Sequence, residues 1–114
     1  MIDRPDISDV NMSSFDLNLL VGFDALMLEL SVTHAARRVG LTQSAMSNVL
    51  RRLRSLLDDK VLIRDGNKMV PTVRALQLEA PVRRALREIQ LAMSPPPPFD
   101  VSASTDVFWI GLRD

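Results

Sequence analysis

Residues 33–54 read THAARRVGLTQSAMSNVLRRLR, and this stretch decides the fold. It has the spacing of a helix, a tight turn and a second helix. Ala36 is small enough to let two helices approach closely. Gly40 can take the positive φ that a turn between them requires and that a side chain would resist. Thr42 is placed to cap the second helix, with Leu41 and Met46 flanking it as a hydrophobic staple. Together these features read as a helix-turn-helix.

The second helix, capped by Thr42 and running to about residue 58, has two opposed faces. At ~100° per residue, Met46, Val49, Leu50, Leu53, Leu56 and Leu57 fall on one side. Ser44, Ser47, Asn48, Arg51 and Ser55 fall on the other, with Gln43, Arg52 and Arg54 on the flanks. An ordinary amphipathic core helix would be expected to carry Glu and Lys in mixed order on its outside. Here residues 33–57 contain no acid at all. Amides, hydroxyls and guanidinium groups are the types that hydrogen-bond base edges and phosphates, so the face is that of a helix entering a DNA major groove.

The whole chain has 114 residues, with 14 basic and 14 acidic ones, and a neutral total argues weakly against a nucleic-acid partner. The distribution reverses that argument. Residues 1–32 hold six acids and one Arg, residues 33–68 hold eight bases and three acids, and residues 69–114 hold five of each. The positive charge is concentrated on the helix-turn-helix and the segment just after it, as a DNA-facing surface requires.

Outward from the motif, residues 16–30 read as a first helix capped by Asp16. Leu20, Phe23, Met27 and Leu30 form its expected core stripe, widened by Val21, Leu26 and Leu28 enough to touch two surfaces. On the other side, residues 61–63 and 69–70 form two short apolar strands around Asp65-Gly66-Asn67-Lys68, whose Asp-Gly and Gly-Asn pairs favour a tight hairpin. A hairpin directly after a recognition helix is a wing.

Pro71-Thr72 then opens a long helix to about residue 93. Leu78, Val82, Leu86, Ile89 and Met93 recur at near-heptad spacing, Ala75 extends the series, and Arg83, Arg84, Arg87 and Glu88 form a solvated face. Pro81 interrupts the pattern, and a kink is expected there. A helix of roughly 20 residues is about 30 Å long, more than a small winged domain can cover. An identical chain is the simplest partner for the seam, so a homodimer is expected.

Residues 95–98 are four prolines, a stiff polyproline II linker. Residues 107–112, VFWIGL, read as a buried parallel strand with no sheet to join. The chain is therefore expected to be the front part of a longer protein, with residues 95–114 mobile on their own. The organisation is a flexible N-terminus over 1–14, a winged helix-turn-helix over 15–71 and a linker or dimerisation helix over 72–94. Residues 95–114 then form a Pro-rich hinge and the start of a truncated effector-binding domain. The fold class is mostly α.

Other classes find little support. Cysteine is absent, which removes disulfides, thiolate metal sites and a cysteine nucleophile. No apolar run approaches the ~18 residues of a membrane span, and the acidic N-terminus lacks a signal-peptide core. With one His, four glycines and no paired carboxylates, neither catalysis, a cofactor nor a metal is expected. The alternative that stays open is a winged-helix module whose basic face binds an acidic protein.

The chain resembles the N-terminal part of LysR-type transcriptional regulators, in the branch that includes nodulation and aromatic-degradation regulators. The resemblance rests on Phe15-Asp16-Leu17-Asn18-Leu19-Leu20, Ala35-Ala36 and Gly40-Leu41-Thr42-Gln43-Ser44-Ala45-Met46-Ser47-Asn48. It continues in Leu50-Arg51-Arg52-Leu53-Arg54, Val61-Leu62-Ile63-Arg64 and Pro71-Thr72. It covers residues 15–93 continuously and 108–114 more weakly. It implies binding of double-stranded operator DNA as a dimer, in the cytoplasm of a bacterium. The long helix would pair antiparallel with its twin and pack on the first helix. A C-terminal domain, outside this chain, would sense a small-molecule effector, and full-length proteins would form tetramers.

Carried over by residue, the resemblance makes Gln43, Ser44, Ser47, Asn48 and Arg51 base-reading. Thr33, Thr42, Arg52, Arg64 and Lys68 would meet phosphates or the minor groove, with Arg54 beside them although it stands where much of the family has Glu. Ser44 stands where Pro is common. Leu20, Met27, Leu78, Val82, Leu86, Ile89 and Met93 would line the dimer interface.

Overall fold

A computed structural model describes residues 16–96; the expectations for residues 1–14 and for the apolar strand at 107–112 lie outside the described residues. The described chain is a winged helix-turn-helix followed by a long helix, mostly α as expected. Its elements are α1 (Leu17–Glu29), α2 (Val32–Val39), α3 (Gln43–Leu57), β1 (Leu62–Asp65), β2 (Lys68–Pro71) and α4 (Val73–Met93).

Each of the first three helices starts on a side-chain oxygen. Asp16 accepts from the N–H of Asn18, Ser31 from that of His34 and Thr42 from that of Ala45. Gly40 closes α2 at φ +77°, and the N–H of Leu41 reaches back to the Ala36 carbonyl at 2.8 Å. The glycine thus supplies the left-handed backbone that turns the chain into α3.

The core forms where α1 meets the other helices. Leu19, Phe23, Leu26, Ala35, Met46, Leu50, Leu53, Val61, Leu62 and Ala75 are all buried in it. The expected stripe on α1 is shifted. Leu26 is buried as the widened stripe expects, and Leu19 is buried as well, but Leu20 is half-buried, Val21 and Leu28 are exposed, and Leu30 caps the helix at φ 51° with its side chain exposed. Contacts with α2, α3 and α4 set this phase, because α1 is apolar nearly all round and its own periodicity does not. Met27, expected at a dimer interface, is only 6% exposed and lies within the core of its own chain. On α3, Leu56 is exposed instead of facing the core.

Gly22 lies at a close approach of α1 to α3. A Cβ built there would lie 2.5 Å from Cγ1 of Val49.

The wing pairs antiparallel, Leu62 with Pro71 through Asp65 with Lys68, leaving Gly66-Asn67 as a two-residue turn. Gly66 has φ +67° while Asn67 does not have positive φ, the pattern of a type II′ turn, whose twist suits a hairpin.

Helix α4 is one element of 21 residues with Pro81 inside it. The seam divides along its length. Ala75 is buried, Leu78 and Val82 pack partly against the core, Leu86 is half-buried, and Ile89 and Met93 are exposed. Arg83 ties this helix to α1 through Asp24 at 3.0 Å and also reaches Glu79. No helix among the described residues is long and apolar enough to cross a membrane.

Candidate nucleic-acid interface

The exposed side of α3 carries the candidate site. Gln43, Ser44, Ser47, Asn48, Arg51 and Ser55 are all exposed, while Met46, Leu50 and Leu53 anchor the opposite side in the core. The helix is thus held from behind and presents only hydrogen-bonding groups in front. Thr42 is occupied as the cap, with its hydroxyl also 3.4 Å from that of Ser44. Arg51 donates to the Asn48 side-chain oxygen one turn back. The two base-reading candidates therefore meet as a pair, leaving the Asn48 amide N–H groups and the other guanidinium N–H groups directed elsewhere.

The flanking basic residues divide into two kinds. Thr33, in the first turn of α2, and Arg64 and Lys68, on the wing, are exposed. None of the ion pairs between described residues involves Arg64 or Lys68. Arg52 and Arg54 are engaged inside the chain. Arg52 lies 3.4 Å from the carboxylate of Asp16 and so ties α3 to the cap of α1. Arg54 donates through Nε to the Lys60 carbonyl at 2.7 Å and through Nη2 to the Leu62 carbonyl at 2.9 Å.

Those two carbonyls belong to a strained turn. The N–H of Leu62 bonds the Lys60 carbonyl at 2.6 Å, closing a three-residue γ-turn around Val61. Val61 has φ 66°, a region its branched side chain resists, at a cost of about 1–3 kcal/mol. The turn is held on its other side as well. Asp59 accepts from the N–H of Val61 at 2.8 Å and from the hydroxyl of Thr72 at 2.6 Å, and the N–H of Thr72 bonds the Val61 carbonyl at 3.0 Å. These bonds hold the Asp59 carboxyl below its ordinary value of 3.8. The Thr72 hydroxyl contributes most and the Val61 N–H next; burial opposes them, and the charge of Arg74 adds to them.

The residues expected to read bases share one face of α3, therefore, and the wing carries two exposed bases beside a braced joint. The model of the bacterial regulatory helix-turn-helix proteins of the lysR family matches residues 17–76, from the start of α1 into α4. The chain belongs to that family. Nodulation protein D 2 of Bradyrhizobium elkanii is 48% identical to it over 105 residues, covering 92% of this chain and 32% of that protein. The chain thus spans about a third of the length of that relative. Among solved structures, a probable transcriptional regulator from Pseudomonas aeruginosa, PA0477, aligns at a TM-score of 0.70 and 42% identity, covering 82% of this chain and 31% of that one. The BenM_DBD/benA site 1 DNA complex aligns at a TM-score of 0.63 over 68% of this chain and 88% of that one. At 22% identity it supports the fold alone.

In this LysR-family chain, sequence reading missed the brace of the wing. Asp59 carried no signal beyond its place in an Asp58-Asp59 pair after the helix. A left-handed Val61 is contrary to what a branched residue suggests. Ser31 was visible as a cap only once the start of α2 was known.

Proposed function

We propose that this LysR-family chain is a transcriptional regulator that binds double-stranded operator DNA sequence-specifically, as a homodimer in the cytoplasm. The acid-free exposed face of α3 carries the reading, because every side chain it offers can bond a base edge or a phosphate and its opposite side is fixed in the core. Gln43, Ser44, Ser47, Asn48 and Arg51 would read bases. Thr33, Arg64 and Lys68 would hold the sugar-phosphate backbone. The family's description as regulatory helix-turn-helix proteins and the name of PA0477, a probable transcriptional regulator, support this reading. The proposed role is binding.

The dimer is proposed through the outer part of α4. Leu86, Ile89, Leu91 and Met93 extend the seam past the stretch that packs on the chain's own core, and three of them are at least 40% exposed. Leu20, half-buried on α1, would border that contact. In a protein of the relatives' length, effector sensing and tetramer assembly would fall outside these residues.

The test is a protection footprint with the 114-residue chain on the DNA upstream of its own coding region. Two protected half-sites related by dyad symmetry are expected. Uniform protection at low salt that disappears without leaving a preferred site, together with tight binding to an acidic protein, would favour the protein-binding alternative.

A further inference from the structure

We infer that Arg54 and Asp59 are positioning residues that set the wing relative to α3, and that Arg54 acts through the wing instead of by touching DNA. This rests on the DNA-binding reading for its consequence, and on the geometry of the joint for its cause. A short linker joins α3 to β1, and its final turn is backbone that a valine adopts only under constraint. All three carbonyls of that turn are bonded. Lys60 accepts from Arg54 and Leu62, Val61 accepts from Thr72, and Leu62 accepts from Arg54. The Val61 N–H is taken by Asp59.

The brace has two arms from two directions. Arg54 is in the last turn of α3 and its planar fork spans two carbonyls. Asp59 reaches forward to Thr72, the cap of α4. The turn between them is therefore referred both to the recognition helix and to the long helix. Arg64, two residues past the turn on β1, is held only by the hairpin pairing of its backbone opposite Met69, and its side chain makes no ion pair with a described residue. Its place over a bound duplex would follow from the angle at which the turn releases the strand.

A merely electrostatic role for Arg54 and a positioning role part company on three readouts. Lysine in place of Arg54 keeps the charge and the stem but cannot span two carbonyls. In the 114-residue chain without DNA, Arg54→Lys and Asp59→Ala are expected to accelerate amide exchange in residues 62–70 by about tenfold, leaving the amides of α1 unchanged. On the footprinted duplex, Arg54→Lys is expected to lose nearly as much affinity as Arg54→Ala, with the salt slope of Arg54→Lys close to that of the wild type. The loss from Arg64→Ala is expected to shrink in the Arg54→Ala background, where the wing is already misplaced.

Three results would overturn the inference. Wing exchange could stay at wild-type rates in both variants. Arg54→Lys could restore full affinity. The Arg54→Ala and Arg64→Ala losses could multiply, with the slope falling by about one unit for each. If the wild type protects no DNA, the proposed function fails, and the exchange measurement still decides whether these two residues hold the wing.

Discussion

Replacing Gly22 by Ala tests the packing that presents the recognition helix. The added methyl would lie 2.5 Å from Cγ1 of Val49, 3.6 Å from its Cβ and 3.8 Å from the Met46 sulfur. Carbon atoms in contact prefer about 3.5–4.0 Å, so the first distance is too short by about 1 Å. Val49 has no easy escape, because a branched side chain in a helix holds one χ1. Overpacking of this kind costs about 1–3 kcal/mol. Against it stands the helix propensity of Ala over Gly, about 0.8–1 kcal/mol in favour of the variant. Because the obstacle is a stiff side chain, the clash should win, with a net loss of up to about 2 kcal/mol.

The assay is urea unfolding of the wild type, Gly22→Ala, Val49→Ala and the double variant, all at one protein concentration because dimer formation would couple to stability. Val49→Ala alone removes two methyl-sized groups from a half-buried place and is expected to cost about 1 kcal/mol. In the double variant the two methyls no longer collide. Its loss should therefore fall short of the sum of the single losses by about 1–2 kcal/mol. A Gly22→Ala chain more stable than wild type by about 1 kcal/mol would show propensity acting alone, and the close approach of α1 to α3 would be refuted. Single losses that add within about 0.5 kcal/mol would refute it equally.

The remaining predictions concern the interface, the dimer and the wing joint. Asn48→Ala should cost roughly 1–3 kcal/mol on the true operator and little on random duplex, whereas Arg64→Ala should weaken both and flatten the salt slope by about one unit. Equal losses on both duplexes would remove Asn48 from the base readers. Leu86→Glu, in the half-buried middle of the seam, should give a monomer by sedimentation that keeps its helical circular dichroism but loses operator affinity, since burying that charge costs several kcal/mol. A variant that stayed dimeric would place the contact elsewhere. The carboxyl of Asp59 is held below 3.8 by bonds present only when folded, so its contribution to stability is in place above that pH and is lost as pH falls through the folded value. The stability gap between wild type and Asp59→Asn should therefore narrow as pH falls below about 4; a gap that stays constant would mean the charge of Asp59 contributes nothing.

How much of the fold is legible in the sequence depends on where the information lies. The bounds of α3 were legible because its start is written locally in Gly40 and Thr42 and its faces differ in chemistry. The wing turn was legible for the same reason, in Gly66-Asn67. The bounds of α1 and its Asp16 cap were legible too, but its phase was not, since Leu17, Leu19, Leu20, Val21, Phe23, Leu26, Met27, Leu28 and Leu30 spread apolar surface nearly all round the helix. Three neighbouring helices choose which of these are buried, and that choice is not local. Leu56 obeys the helical wheel of α3 yet lies exposed near the end of that helix. The basic flank shows the same limit for charge. Composition marks Arg52 and Arg54 as cations near DNA, but only folding brings Asp16 and two backbone carbonyls to them.

Thr72 shows how closely the parts of this chain depend on one another. Its hydroxyl accepts from the N–H of Ala75 to start α4 and donates to Asp59, and its own N–H bonds the Val61 carbonyl. One residue therefore begins the long helix and holds the joint of the wing. Further along, Arg83 fastens α4 to Asp24, an exposed pair that contributes at most about 1 kcal/mol but fixes a second point along the same helix. Between these two points α4 also packs on the core through Ala75, Leu78 and Val82. The winged domain and the first half of α4 thus form a single packed unit, and the residues proposed to meet a partner chain begin where that packing ends. A shift of the first turn of α4 cannot leave the wing in place, because the same threonine belongs to both.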